Sequence, residues 1–240
     1  MFFLLRLAVI IQATWLSPLS TAESIAQVDK DSITFSSNQA ETTVDIIKKL
    51  TTQHFQKQPI DDALSQNLLT QYLGLLDPTK SYFLQEDINE FQKWKFKLDD
   101  LLKSGDLSPG FFIYKRYQQR ASKRLQENIA LLESGFIFDL NKDESLSIDT
   151  EANKWQDSTK DSDNYWRKKT KEAYLRLKLN DKDPEEVRKL LIKRYTNLKK
   201  RIHQSDSEDV FQLYMNALTG LFDPHTSYLS PRSMKNFRIS

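Results

Sequence analysis

Apolar residues recur at intervals of three and four along most of the chain beyond about Gln39, which is the spacing of a buried helix face. A first segment, from Gln39 to Phe55, carries four of them: Val44, Ile47, Leu50 and Phe55. A second segment follows Asp61 and carries six: Leu64, Leu68, Leu69, Tyr72, Leu73 and Leu76. Asp77-Pro78 ends this second segment, because the residue before a proline avoids the helical region. The pattern predicts amphipathic helices, and no strand-like alternation competes with it.

The same pattern predicts further helices downstream. A third runs from Gln85 to Lys103. A fourth continues to Glu133, with Ser108 as its N-cap and Pro109 at its first helical position. Helices resume near Asp163, and later helix starts are indicated by capping boxes at Asp183-Pro-Glu-Glu186 and Ser205-Asp-Ser-Glu208. The last long helix should reach about Leu221, and a short helix should follow Ser230-Pro231. We predict an all-α, elongated multi-helix domain over residues 39–240.

The helical period is lost over residues 135–160, which predicts a long irregular acidic loop near the middle of the domain. Eight acids lie in or just beyond it: Asp139, Asp143, Glu144, Asp149, Glu151, Asp157, Asp161 and Asp163. The run from Asp139 to Thr150 imitates the alternating oxygen ligands of a calcium loop. It has Glu144 where a turn glycine is needed and Thr150 where a bidentate glutamate is needed. We therefore expect a solvated acidic loop and no metal site.

Composition excludes several kinds of chemistry. The 240 residues contain no cysteine, which rules out disulfides, thiolate zinc sites and cysteine nucleophiles. Five scattered glycines cannot build a dinucleotide-binding or phosphate-binding loop. The three histidines, His54, His203 and His225, are isolated, and His225 is expected to be a turn residue rather than a base. We predict no catalytic, cofactor-binding or metal-binding residue and no cofactor.

The first 22 residues have the features of a secretory signal. Arg6 precedes an apolar stretch from Leu7 to Leu16, and Ser20 and Ala22 occupy the small-residue positions of a cleavage site. An uncleaved anchor and a buried N-terminal helix are the alternatives. We expect export to a bacterial periplasm, where absence of cysteine is an advantage. Residues 23–38 are polar and are predicted to be a loose N-terminal segment.

Residues 163–204 are basic, with 14 lysines and arginines against 6 acids. Such a surface could contact phosphates. Export removes the chain from nucleic acid, however, so we expect either a solvated basic face or one that docks an acidic protein surface. No nucleic-acid partner is predicted.

One ten-residue pattern occurs twice. Residues 74–83 read Gly-Leu-Leu-Asp-Pro-Thr-Lys-Ser-Tyr-Phe, and residues 220–229 read Gly-Leu-Phe-Asp-Pro-His-Thr-Ser-Tyr-Leu. Each copy follows an amphipathic helix, so Asp-Pro should force a turn and Ser-Tyr should anchor the exit. Four residues are expected to define the first turn: Asp77, Pro78, Ser81 and Tyr82. The simplest interpretation is one helix-turn used twice for packing.

The second copy also carries a resemblance to a known family. The run from Ser207 to Ala217, followed by Asp223 to Arg232, resembles the N-terminal domain of the bacterial tail-specific (carboxy-terminal processing) proteases. Residues 72–77 and 193–201 also fit that family, as does the signal. The specific part is a motif of ten residues: Asp223, Pro224, His225, Thr226, Ser227, Tyr228, Leu229, Ser230, Pro231 and Arg232.

The resemblance implies a function for the whole family protein. In that family the helical region precedes a PDZ domain and a serine protease domain with a Ser/Lys dyad. The family cuts periplasmic proteins near apolar, unstructured C-termini without metal or ATP. The nucleophile, its base, the oxyanion hole and the tail-binding groove have no positions in this chain. The ten-residue motif is therefore assigned to an interdomain junction.

We accordingly expect a helical N-terminal domain that shapes substrate access, supports the PDZ and protease domains, and is inactive alone. The chain has the expected extent of a truncated product, a fragment or a separate domain. The implied partners are those two domains, normally in the same chain, and protein substrates with apolar C-termini. A further periplasmic protein is another possible partner. The alternative is a stand-alone periplasmic binding or adaptor module without catalysis.

Overall fold

The computed structural model describes residues 33–139, 141–147, 153–179 and 183–239. The predicted signal, Met1–Ala22, lies outside this part of the chain. Within it the structure is all-α, as predicted, and the one β-type pairing is an isolated bridge between Leu84 and Gln156. The helices of this part are α1 Ser37–Thr52, α2 Asp62–Leu76, α3 Gln85–Phe91, α4 Leu98–Lys103, α5 Ser108–Glu133, α6 Thr159–Lys178, α7 Pro184–Gln204, α8 Ser207–Thr219 and α9 Pro231–Ile239.

Helix boundaries follow local capping chemistry. The Ser36 hydroxyl accepts a hydrogen bond from the Gln39 backbone, and the Gln39 side chain accepts one from the Ser36 backbone. Asp61 caps α2 through the backbone N–H groups of Ala63 and Leu64. The turn between α4 and α5 uses Gly105 at φ +77°, a left-handed conformation that costs glycine little.

The buried apolar side chains form two clusters that meet along α5. The first lies among α1, α2, α3, α4, α8 and the start of α5, and the second among α6, α7 and the rest of α5. The 26 residues of α5 make it about 39 Å long, so one helix contributes to both clusters. Burial of such side chains stabilises the fold by about 1.5 to 3 kcal/mol each.

The helices that precede the two repeated turns, α2 and α8, pack against each other. The rings of Tyr72 and Tyr214 lie 4.8 Å apart between them. The Tyr72 hydroxyl donates to the carbonyl of Gly110 on α5 at 3.1 Å. Gly110 permits this approach, since a Cβ there would lie 2.5 Å from the Tyr214 ring.

The helix predicted from Gln85 to Lys103 is interrupted in the structure. A short 3-10 turn follows α3, and a new helix, α4, begins at Leu98. Ser65 of α2 explains the restart, because its hydroxyl accepts the backbone N–H of Asp99 at 2.8 Å and donates to the Asp99 carboxylate at 2.7 Å. A side chain from another helix thus caps α4, which local periodicity cannot reveal.

Two predicted helix starts are displaced by one residue. The capping box at α8 pairs Asp206 with Asp209 rather than Ser205 with Glu208. Helix α5 begins at Ser108 itself, and the Asp106 carboxylate accepts the Ser108 backbone N–H. At α8 a carboxylate therefore takes the capping role predicted for a serine hydroxyl, whereas the N-cap of α5, Leu107, has no side-chain cap.

The end of the segment predicted to be loose, residues 33–38, takes part in the fold. Ile33 and Phe35 pack against the first cluster, and the Phe35 ring lies 5.6 Å from that of Phe111. Helix α1 then begins at Ser37, two residues before the predicted start.

The described residues between α5 and α6 form no helix, and they are tied to α6 at several points. Phe138 is buried in the second cluster against Tyr174. Glu144 pairs with Arg167 and Lys171 of α6, and these hydrogen bonds lower its pKa to about 2.

Within the described residues, no helix is both long and apolar enough to cross a membrane.

Candidate functional site

The ten-residue motif, residues 223–232, forms a strap that runs back along α8. The backbone N–H of Tyr228 donates to the side-chain oxygen of Asn216 at 2.7 Å, and that of Ser230 donates to Gln212 at 2.9 Å. Arg232 then forms ion pairs with Asp209 and Asp206. Contacts made by later strap residues therefore fall earlier on α8, so the strap is antiparallel to the helix.

The amphipathic pattern of α8 makes this arrangement possible. Residues 206, 209, 212 and 216 are spaced by three or four, which places their side chains on one face of the helix. The other face is buried in the first cluster by Val210, Phe211, Tyr214, Met215, Ala217 and Leu218. One helix thus contributes apolar side chains to the core and polar side chains to the strap.

The turn into the strap is built on Asp223. Its carboxylate accepts the backbone N–H of His225 at 2.6 Å, and its carbonyl accepts that of Thr226 at 3.0 Å. The Thr226 hydroxyl lies 2.9 Å from Nε2 of His54, just beyond the end of α1. Pro224, His225 and Ser227 are exposed. His225 is therefore a turn residue in this structure, as expected.

Tyr228 is anchored by both its ring and its hydroxyl. Its ring packs edge-on against Phe211 at 5.0 Å, and its hydroxyl donates to Glu208 at 2.9 Å. Burial and the Glu208 carboxylate raise the pKa of Tyr228 well above its usual value. The phenol is consequently a neutral hydrogen-bond donor at any physiological pH.

The strap ends by starting a new helix. The Ser230 hydroxyl accepts the backbone N–H of Ser233, and Pro231 occupies the first position of α9. Asp209 and Asp206 raise the pKa of Arg232 and hold its side chain against α8. Leu229 is 37% exposed between these anchored positions.

The first copy of the repeated turn is buried and more densely bonded. The Asp77 carboxylate, 1% exposed, accepts the backbone N–H groups of Ser81, Tyr82 and Phe83 at 2.8 to 3.1 Å. It also accepts the indole N–H of Trp155 at 3.2 Å. The first turn therefore fixes both its own exit and the chain that returns from the irregular segment.

Ser81 and Tyr82 bind α6 in addition. The Trp166 indole donates to the Ser81 carbonyl at 2.7 Å, and the Tyr82 ring lies 5.3 Å from that of Trp166. Pro78 follows Asp77 at the helix end. The two copies thus share the order helix, Asp-Pro turn, anchored Tyr and short helix. The first is an internal structural junction, and the second lies at the surface.

A serine hydroxyl lies beside a lysine amine at the first turn. Nζ of Lys169 donates to the hydroxyls of Thr79 and Ser81, each at 3.3 Å, and burial lowers the pKa of Lys169. Such a pair can activate a nucleophile when substrate can reach it. Ser81 is 1% exposed and shares its hydroxyl with Thr79, so this pair binds the turn to α6 and cannot receive a substrate.

Sequence reasoning identified the strap but missed the residues that hold it. The signal was present in α8, where Asp206, Asp209, Gln212 and Asn216 recur on the polar face directly before the motif. Among the described residues no cluster of side chains suits a metal ion. The arrangement can clamp a peptide segment and position the chain that follows it.

Comparison with known proteins gives this arrangement a family context. Residues 46–232 match the model described as the tail specific protease N-terminal domain. The chain belongs to the tail-specific protease family. It is 37% identical over 193 residues to the tail-specific protease of Haemophilus influenzae. That alignment covers 80% of this chain and 28% of the relative's length.

Both repeated turns lie within the tail-specific protease match, and its last residue is Arg232, the final residue of the strap. The resemblance stated from the sequence is therefore confirmed at the level of the family and its N-terminal domain. The junction role of the strap stays a prediction.

Proposed function

We propose that this chain is the helical N-terminal domain of an exported, periplasmic tail-specific serine endopeptidase. In that role it shapes substrate access and supports PDZ and protease domains, and peptide hydrolysis is carried by those domains. The observation that carries the proposal is the match to the N-terminal domain of the family. The 193 aligned residues cover only 28% of the relative, so the other domains of that protein have no counterpart in the alignment.

The strap is the part of the domain best suited to a junction. It is bonded to α8 at four successive points, from Asn216 back to Asp206, and it leads directly into α9. A rigid exit of this kind would fix where the following domain begins. Leu229 and Met234 are 37% and 38% exposed. Because both lie close to the C-terminal exit, their apolar side chains could contact the domain that follows.

The test is a protease assay on the purified chain, using an unfolded reporter that ends in an apolar tail. We expect no cleavage by the chain alone and altered cleavage when it is added to a separately produced fragment holding the PDZ and protease domains. Specific cleavage by the chain alone would overturn the assignment. No effect on the fragment and no binding to it would favour a stand-alone binding module.

A matched pair of variants sharpens the assay. Leu229→Asp places a charge on the strap, whereas Leu179→Asp places one at the end of α6, where the leucine is 82% exposed. We expect the first to abolish the effect on the fragment and the second to preserve it. Equal behaviour of the two would count against the strap as the junction.

A further inference from the structure

A cavity of about 380 Å³ lies between the C-terminal ends of α2 and α7, the length of α8 and the N-terminal half of α5. Its apolar wall is formed by Leu75, Ile202 and Leu213, among others. The volume is at the lower end of the range for small-molecule sites. Four of the polar side chains that line it, Tyr117, Arg201, Gln212 and Asn216, carry hydrogen-bond donors that have no partner among the described residues, whereas the Ser205 hydroxyl donates to the Arg201 carbonyl.

Two of these donors are side-chain amides whose orientation is fixed by the strap. Gln212 and Asn216 both line the cavity. Their oxygens accept the backbone N–H groups of Ser230 and Tyr228, and a backbone N–H can only donate. The side-chain amide nitrogens of both residues therefore remain available as donors, and neither has a hydrogen-bond partner in the described part of the chain.

The phenol of Tyr117 is the third donor. Tyr117 lines the cavity, and its hydroxyl has no hydrogen-bond partner among the described residues. Burial raises the pKa of Tyr117 to about 12, so the group keeps its proton at neutral pH. Its ring meanwhile packs against Tyr82 and Tyr114 and is held in place.

The cation at the cavity, Arg201, is unpaired, whereas its carboxylate, Asp209, is paired within the described residues. Arg201 lines the cavity from the last turn of α7 and forms no ion pair within the described ranges. Asp209 also lines it, but that carboxylate is already paired with Arg232 and accepts the backbone N–H of Asp206. One cation and three neutral donors thus face an apolar wall, and the one carboxylate among the lining residues is already engaged.

We propose that this cavity binds a small organic carboxylate that carries an apolar group. The guanidinium of Arg201 would pair with the carboxylate, a geometry that arginine favours, and the amide and phenol donors would bind its oxygens. The apolar part would lie against Leu75, Ile202 and Leu213. The carboxylate can belong to a free acid or to an acidic side chain of a peptide. The proposal does not depend on the protease assignment.

The experiment is a titration of the isotopically labelled 240-residue chain, followed by the side-chain amide signals of Gln212 and Asn216 in NMR spectra. The probes are 3-phenylpropionate, as the free acid, and a doubly blocked phenylalanyl-glutamate dipeptide, as the peptide source. We expect both amide signals to shift with at least one probe. The corresponding uncharged amide, 3-phenylpropionamide, should bind about tenfold more weakly than the acid.

Variants separate a specific site from general attraction to a basic helix. Arg201→Gln should weaken binding about tenfold, and Tyr117→Phe about threefold. Arg194→Gln is the control, since Arg194 is exposed on α7 two turns earlier and does not line the cavity. Its effect should stay within about twofold.

Three results would overturn the proposal. These are equal binding of the acid and its amide, equal loss in the Arg201 and Arg194 variants, and no shift with either probe. A response to the dipeptide alone would identify a peptide source, and a response to 3-phenylpropionate alone would identify a free acid. Either would support the site.

Discussion

The side-chain oxygen of Asn216 accepts the backbone N–H of Tyr228 at 2.7 Å, although the two residues are separated by a turn and lie on opposite sides of Asp223. One turn of α8 earlier, Gln212 makes the equivalent bond to Ser230. The polar face of α8 thus holds the strap, and the strap in turn fixes the orientation of the Asn216 and Gln212 side chains.

Asn216→Ala should release the middle of the strap. The loss of one hydrogen bond to a partly buried backbone group should lower the free energy of unfolding by about 1 kcal/mol. Hydrogen exchange at the Tyr228 amide should accelerate more than the global stability change explains. The control is Asn197→Ala on the exposed face of α7. Unchanged exchange at Tyr228 would contradict the anchoring role.

The two aspartates of the repeated turns should differ in their effect on stability. Asp77→Ala leaves three backbone N–H groups and an indole N–H without an acceptor, so we expect a loss of about 3 kcal/mol or more. Asp223→Ala removes one backbone acceptor at a half-exposed site and should cost about 1 kcal/mol. Urea unfolding of both variants measures the difference, and similar losses would refute the contrast between the two turns.

Two glycines in helices should respond to alanine with opposite signs. At Gly74 of α2 a new Cβ meets nothing within 4 Å, so Gly74→Ala should stabilise the chain by roughly 0.5 to 1 kcal/mol. At Gly110 of α5 the same atom would lie 2.5 Å from the buried Tyr214 ring. Gly110→Ala should therefore destabilise by about 1 to 3 kcal/mol despite its better helix propensity. Thermal unfolding checks both signs.

Stability should depend on pH through Glu144. Its pKa is lowered from 4.5 to about 2 in the folded chain by Arg167 and Lys171, so the unfolded chain binds more protons between these values. The stabilisation is fully present above about pH 4.5 and is lost as the pH falls through about 2.

The test compares the original chain with Glu144→Gln by urea unfolding across this pH range. The difference in unfolding free energy should be constant near neutral pH and should shrink as the pH falls from about 4.5 towards 2. A difference that does not change over this window would show that the ion pairs do not hold the irregular segment to α6.

Local sequence signals predicted α5 and α2 closely because each carries its own start, stop and apolar face. Helix α5 spans Ser108–Glu133 and starts within one residue of the prediction, and α2 ends at the residue before Asp77. The strap was also located from sequence, since Asp-Pro stops a helix and Ser-Pro starts one. The clamp on the strap was not found, because the pairing of Asn216 with Tyr228 depends on the direction in which the chain returns.

Local signals in the sequence were sufficient to predict the all-α class, the principal helices, both repeated turns and the family. These depend on spacing and on turn chemistry within a few residues of each position. Three relationships became visible only in the folded chain: Ser65 interrupts a predicted helix, Asp77 is buried while Asp223 stays near the surface, and four donors without a partner in the described part of the chain share one cavity. Such relationships join residues distant in the chain, so they follow from packing rather than from local periodicity.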